Sequence, residues 1–303
     1  DGILFMDNFR SCWRCASGGE LRDQRQGLVE SLKRIALLLT IVFSASPLLP
    51  EQFSMLPQGL LGSKRTLVSA WLFNEGTGSV AKDSSVGGTS KLTNHGDLLS
   101  GPTWVTGLHG YALDFAATNS RVELRNEAQF DFITLYSTWT IAFSFKATKL
   151  LAGIIFSKTG TFNSPAGFYI QAESDATGDI AFVRILSGAT QKWVTPVIPL
   201  AKVAGGKPHV LILDYCNQGQ ADLTTLRPST FKVFLDGTQI TVTGSPSVGD
   251  ITNNNLATIS GWDDGTSASF NGIIEMAGLW RGDGQGPLNE GEARAITARV
   301  LGR

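Results

Sequence analysis

Residues 231–301 constrain the fold more tightly than any other part of the chain. Phe231, Val233 and Leu235 share one parity, Asp236-Gly237 supplies a reversal, and Gln239-Ile240-Thr241-Val242-Thr243 returns beside them. Period-two alternation sends successive side chains to opposite faces, and Asp-Gly accepts the positive φ angles that tight hairpins need. Ala257-Thr258-Ile259-Ser260-Gly261 and Phe270-Asn271-Gly272-Ile273-Ile274-Glu275-Met276 continue in the same style. The period then changes. Asn289 is placed to cap a helix, Glu290 and Glu292 suit its positive end, and Ala293, Ile296 and Val300 form one apolar stripe before Gly302. One short helix closing a run of hairpins predicts an antiparallel β body rather than an alternating α/β plan.

The preceding sequence reads the same way. Leu67-Val68-Ser69-Ala70-Trp71-Leu72-Phe73 opens the body. Candidate strands follow at 111–116, 121–124, 138–147, 153–157, 167–172, 180–186, 192–198 and 209–215, with turn residues between them. In the third of these, Ile141, Phe143 and Phe145 make one apolar face against small and polar neighbours. An apolar content of 42% is ample for a large core, and 34 glycines supply many tight turns. With a net charge of −1, no field favours nucleic acid. The expected fold is all-β: a two-sheet antiparallel sandwich with one short C-terminal helix, preceded by a partly helical N-terminal segment.

Residues 1–62 differ in kind from residues 63–303. Lys33-Arg34 lead into Ile35-Ala36-Leu37-Leu38-Leu39-Thr40-Ile41-Val42-Phe43, and Ser44-Ala45-Ser46-Pro47 follow. A basic flank, a short apolar run and small residues fit the plan of a secretory leader. The same residues also suit an anchoring arm that packs on a partner, or upstream sequence preceding a start at Met55. Membrane contact, if any, is expected through residues 35–49. Cys12 and Cys15 have no second pair with which to build a thiolate zinc site, and Cys216 reads as a small apolar filler at a strand end.

The order of motifs resembles one family. Ala70-Trp71-Leu72-Phe73-Asn74-Glu75-Gly76-Thr77-Gly78 is similar to the opening of LamG-like domains, in the concanavalin A-like lectin and glucanase superfamily. Asp83-Ser84-Ser85 with Asn94-His95-Gly96 resembles the next loop, and Gly107-Leu108-His109-Gly110-Tyr111-Ala112-Leu113-Asp114-Phe115 the strand after it. Trp139-Thr140-Ile141-Ala142-Phe143-Ser144-Phe145, Pro208-His209-Val210 and Phe270-Asn271-Gly272-Ile273-Ile274-Glu275 complete the series over residues 67–301. Two departures stand out: Lys207-Pro208 replaces a Trp-His pair, and Glu275 stands where the family has Asp. The resemblance implies a jelly roll that recognises a ligand, with catalysis in some relatives and calcium in others.

The candidate chemistry follows from that. Glycoside hydrolysis needs two carboxylates facing one bond, and no such pair is legible, so no catalytic residue is assigned. The resemblance suggests calcium at Glu75, Asp83 and Glu275, through rim carboxylates and carbonyls. Against this stands the reading that Asp83 and Asn94 bond their own turns. For glycan binding, Trp262 with Asp263, Asp264 and Asn271 forms a cluster in a Gly- and Asp-rich loop, and Asn254 adds an amide. Trp262 reads equally as a rim tryptophan capping the core. Arg281-Gly282-Asp283 is explained by the turn before the helix. The expected role is a non-catalytic recognition module for a glycan or surface protein. The alternative is a structural virion component, such as a phage capsid-decoration or tail protein, contacting other virion proteins through an N-terminal arm. Either role places the chain outside the cell or on a virion surface.

Overall fold

A computed structural model describes residues 65–85, 94–134, 136–147, 152–159, 166–174, 179–181, 184–187, 190–203, 205–216, 231–244, 253–262, 265, 269–282 and 286–302. The expectations for residues 1–62, including Cys12, Cys15, the apolar run and the boundary at residue 62, lie outside the described residues.

Two sheets form the body. The first runs β15 (Thr238–Ile240), β14 (Phe231–Leu235), β13 (His209–Tyr215), β7 (Thr138–Ala147), β18 (Gly272–Gly282), β5 (Gly110–Asp114) and β4 (Thr103–Gly107), with β1 (Thr66–Trp71) also on β18. The second runs β10 (Asp179–Ala181), β12 (Thr190–Pro199), β11 (Arg184–Ser187), β9 (Ala166–Ser174), β8 (Ala152–Lys158), β17 (Thr258–Ile259), β6 (Arg121–Leu124), β3 (Gly96–Leu99) and β2 (Val80–Ala81), with β16 (Val242–Gly244) on β12. Every pairing between these strands is antiparallel. A 3₁₀ turn (Glu127–Phe130), α1 (Leu200–Val203) and α2 (Glu290–Val300) complete the described elements.

The sheets pack face to face through the alternation visible in sequence. Ile141, Phe143 and Phe145 of β7 and Leu211 and Leu213 of β13 meet Val122, Leu124, Phe156, Phe168 and Ile170 of the second sheet in one core. Each such large side chain contributes roughly 1.5–3 kcal/mol by leaving water. The opposite face of the first sheet is also covered. Ala142, Val210, Ile212, Phe234 and Trp280 lie under Ala293, Ile296 and Val300, the predicted helical stripe.

Asn289 caps α2 as expected. Its Oδ1 accepts from the Glu292 N–H, and its own N–H donates to Glu292 Oε2, both at 2.9 Å. Beneath the approach to the helix, buried Arg65 donates to Asp214 Oδ1 at 3.1 Å and to the Gly286 carbonyl at 2.9 Å, while the Leu288 N–H donates to Asp214 Oδ2 at 2.8 Å. These bonds fix where the helix lies on the sheet.

The boundaries differ from the sequence reading in three places. The return strand at 239–243 splits, so that β15 pairs with β14 while β16 crosses to β12 in the other sheet. Residues 180–186 divide between β10 and β11. The short strands β2, β3 and β4 and the helical turn α1 carry too little periodicity to stand out from loops.

Candidate functional site

Strand β18 changes partner along one side. Trp71 of β1 pairs with Ala277, and Leu113 of β5 pairs with Ile274. Glu275 and Met276 fall between those two partners, and the ladder to β7 on the other side shifts register between Ile274 and Met276. A bulge leaves a residue unpaired and re-aims its neighbours. A hollow of about 360 Å³, counted with its open mouth, is lined by Leu72, Asn74, His109, Tyr111, Ser144 and Glu275. Met276 and Val300 close its apolar side.

The chain bends sharply to build this wall. Phe73, two residues after the end of β1, is buried with φ +49°. A bulky residue in the left-handed region costs on the order of 1–3 kcal/mol, and such strain gathers at sites where geometry matters. The bend delivers Leu72 and Asn74 to the hollow. Gly76, with φ +71°, is required by what lies on it: a Cβ there would meet Tyr111 Cε2, Cδ2 and Cζ at 2.5, 2.7 and 2.7 Å. The ring therefore packs directly against the Gly76 backbone. The Tyr111 side chain remains 48% exposed.

The polar floor is firmly held. Glu275 Oε1 accepts from the Leu108 N–H at 3.0 Å and pairs with Lys146 Nζ at 2.8 Å, and Oε2 accepts from Ser144 Oγ at 3.2 Å. His109 Nε2 donates to the Val300 carbonyl at 2.6 Å, tying the β4–β5 turn to the end of α2. That helix end carries partial negative charge. Asn74 is exposed at the mouth.

The expected site residues scatter. Trp262 is 3% exposed and meets Tyr169 edge-on, with ring centroids 4.8 Å apart, in a small cluster with Ile154. An aromatic platform needs an open face, so Trp262 is corrected to a packing residue. Asp263 and Asp264 lie outside the described residues. Asn271 is half-buried and Asn254 exposed.

The expected calcium residues do not meet. Among the described residues, no group of three or more His, Cys, Asp or Glu side chains is placed to hold a metal. Asp83 Oδ1 accepts from the Ala70 and Ser85 N–H groups at 3.1 and 2.9 Å, and Oδ2 from Asn94 N–H at 3.2 Å. It holds its own turn. Glu75 Oε1 accepts from the Lys82 N–H at 2.6 Å, and Oε2 is buried without a bond from the described residues. Glu275 belongs to the hollow.

Sequence reasoning missed Tyr111 and Asn74 as site residues. Tyr111 shares strand parity with buried Leu113 and so reads as core. The open gap beside it follows from strand pairing, which leaves no local signal.

No family model matches the sequence, and no curated protein matches it. Solved structures do resemble the fold. The binding domain of Paraclostridial Mosquitocidal Protein 1 superposes with a TM-score of 0.54 at 12% identity, over 79% of this chain and 53% of that one. The chain thus spans about half the length of that domain. Domain 4 of AbnA, a GH43 extracellular arabinanase from Geobacillus stearothermophilus, solved with arabinotriose, gives 0.49 at 15% identity, over 78% of this chain and 100% of that one. The CBM40 of Ruminococcus gnavus IT-sialidase gives 0.43 at 18% identity, over 61% and 96%. At 12% identity, the likeness to the mosquitocidal protein is one of β-sandwich fold.

Proposed function

We propose that the domain is a non-catalytic recognition module that binds a glycan through the hollow beside β5. The observation that carries this is Tyr111, a half-exposed ring packed on Gly76 at the mouth of a hollow whose mostly apolar lining includes a few polar groups. A sugar presents apolar C–H faces and a ring of hydroxyls. Tyr111 offers a flat apolar surface for the first, and the exposed Asn74 amide offers a planar polar partner for the second. Specific sites combine a largely apolar wall with a few fixed polar groups.

Absence of catalysis is part of the same proposal. Glu275 is the carboxylate lining the hollow, and both its oxygens already accept bonds from Leu108, Lys146 and Ser144. A glycosidase needs an acid and a second carboxylate across the bond, each free to exchange a proton or attack. The sandwich also shares its fold with a domain whose own protein uses it for binding. A glycan ligand fits work outside the cell or on a particle surface. Among the described residues, no helix is long and apolar enough to cross a membrane.

The test is a glycan array probed with the full chain, followed by calorimetric titration of a bound oligosaccharide. Tyr111→Ala is expected to weaken binding at least tenfold, about 1.4 kcal/mol, with little change in unfolding midpoint. Equal affinity in the variant, or no glycan retained by the parent chain, overturns the proposal.

A further inference from the structure

A second concentration of polar chemistry lies at the end of β8, on the other sheet. Lys158 is charged yet only 2% exposed. Its Nζ donates to Glu127 Oε1, lies 3.1 Å from Asp131 Oδ1, and donates to the Asn253 and Asn255 carbonyls at 3.1 and 3.4 Å. Four oxygens thus converge on one nitrogen, more than the three N–H donors an ammonium can offer singly. Two carboxylates and two main-chain carbonyls, supplied by loops around a strand end, are the donor set of a hard cation.

The cage is built rather than incidental. Asn253 Nδ2 donates to the Lys158 carbonyl at 2.9 Å, and Asn253 Oδ1 accepts from the Asn255 N–H at 2.8 Å. These two bonds hold both carbonyls toward the ammonium. Glu127 opens the 3₁₀ turn and Asp131 ends it, so one short element supplies both carboxylates. One positive charge faces two negative charges, so the site keeps a deficit that a divalent ion would cancel.

We infer that Lys158 is the chain's own cation in a calcium-type site. Its tethered ammonium ties β8, the turn at 127–131 and the segment at 253–257 together, as a bound ion would, and makes that junction independent of metal. Removing the ammonium leaves preformed oxygens around two uncompensated carboxylates. Calcium tolerates irregular shells of six to eight oxygens and can complete this one with water, whereas magnesium demands a tight octahedron. Nothing in this inference draws on the hollow or its ligand.

Thermal unfolding of the full chain, as Lys158→Ala and Lys158→Ser, tests it. The parent midpoint is expected to be the same in EDTA and in millimolar CaCl₂. Both variants should unfold lower in EDTA, recover several degrees in CaCl₂, and gain little from equal MgCl₂. Adding Glu127→Gln should abolish the recovery. A variant that folds only with CaCl₂ present supports the inference equally. It is overturned if calcium raises neither variant's midpoint, if neither variant folds even with calcium, or if the parent responds as strongly.

Discussion

The turn at 107–111 and the rim at 257–265 both set an aromatic residue among glycines, and the fold treats them oppositely. Trp262, in the loop rich in Gly and Asp, is buried; Tyr111, at the start of a strand, is half-exposed. The cause lies in what stands across from each ring. Tyr169 sits between Phe168 and Ile170, which face the main core, so its own ring points out of the sandwich and needs cover. Trp262 provides that cover. Tyr111 lies where β1 has ended and β5 has just begun; β4 pairs with it through Thr106 on one side, and on the side toward β18 no described strand pairs with it. Exposure is therefore set by strand pairing, and the composition of the surrounding loop is a poor guide to it.

The largest expected effect separates these two rings. Trp262→Ala should destabilise the domain by about 3–5 kcal/mol, the cost of emptying a packed aromatic site, read by denaturant unfolding. Tyr111→Ala, made alongside, should cost less than about 1 kcal/mol, since its ring is half in water. If Trp262→Ala leaves the unfolding midpoint in place and removes glycan binding, the contrast is reversed and the rim is the binding face.

A second contrast, between tyrosines, gives a smaller effect. Tyr215 is 4% exposed among Trp139 and Phe231, with ring centroids 5.3 and 4.9 Å away. Burial, and behind it the neighbouring Cys216 thiolate, pushes its phenol up to about 12. A raised value stabilises the fold fully below the unfolded phenol value near 10 and loses that contribution as pH rises through about 12. The loss is on the order of 2–3 kcal/mol. Tyrosinate absorbance should show a late step that Tyr215→Phe deletes, and unfolding free energy should fall over the same window. A titration complete by about pH 10.5 would show the ring to be accessible.

Much of this architecture was legible in sequence, and the illegible parts share a cause. β7 and β13 match residues 138–147 and 209–215 to the residue, because long period-two runs packed on both sides carry a strong pattern. The Asn289 cap and the stripe Ala293, Ile296 and Val300 were readable because caps and helical faces are local. Asp83 could be weighed both ways, and the structure uses it for its own turn. The hollow could not be read, because it depends on β18 exchanging β1 for β5. The Lys158 cage joins residues 127, 131, 158, 253 and 255, and nothing near Lys158 in the chain announces its partners. Local chemistry shows in a sequence, whereas contacts made by topology do not.

The smallest effect sharpens the contrast between that buried cage and an exposed pair on the same sheet. Arg125 donates to Asp97 through Nε at 2.9 Å and Nη2 at 2.5 Å, with both side chains more than a third exposed. The hydrogen bond from Arg125 holds the Asp97 carboxyl below its usual value; slight burial opposes this, while the charges of Arg125 and His95 reinforce it. A depressed value means that the pair's contribution is present above the unfolded carboxyl value near 3.9 and fades as pH falls through the lower folded value. Water and salt screen both groups, so a double-mutant cycle of Asp97→Asn and Arg125→Gln should return at most about 1 kcal/mol. That coupling should shrink at high ionic strength. The Lys158 side chain is only 3% exposed and Glu127 20%, so the coupling between Lys158 and Glu127 should lose less in the same salt series. Equal salt sensitivity at the two places would mean that the cage is as wet as the surface pair, and the distinction between a buried ammonium and an ordinary surface ion pair would fail.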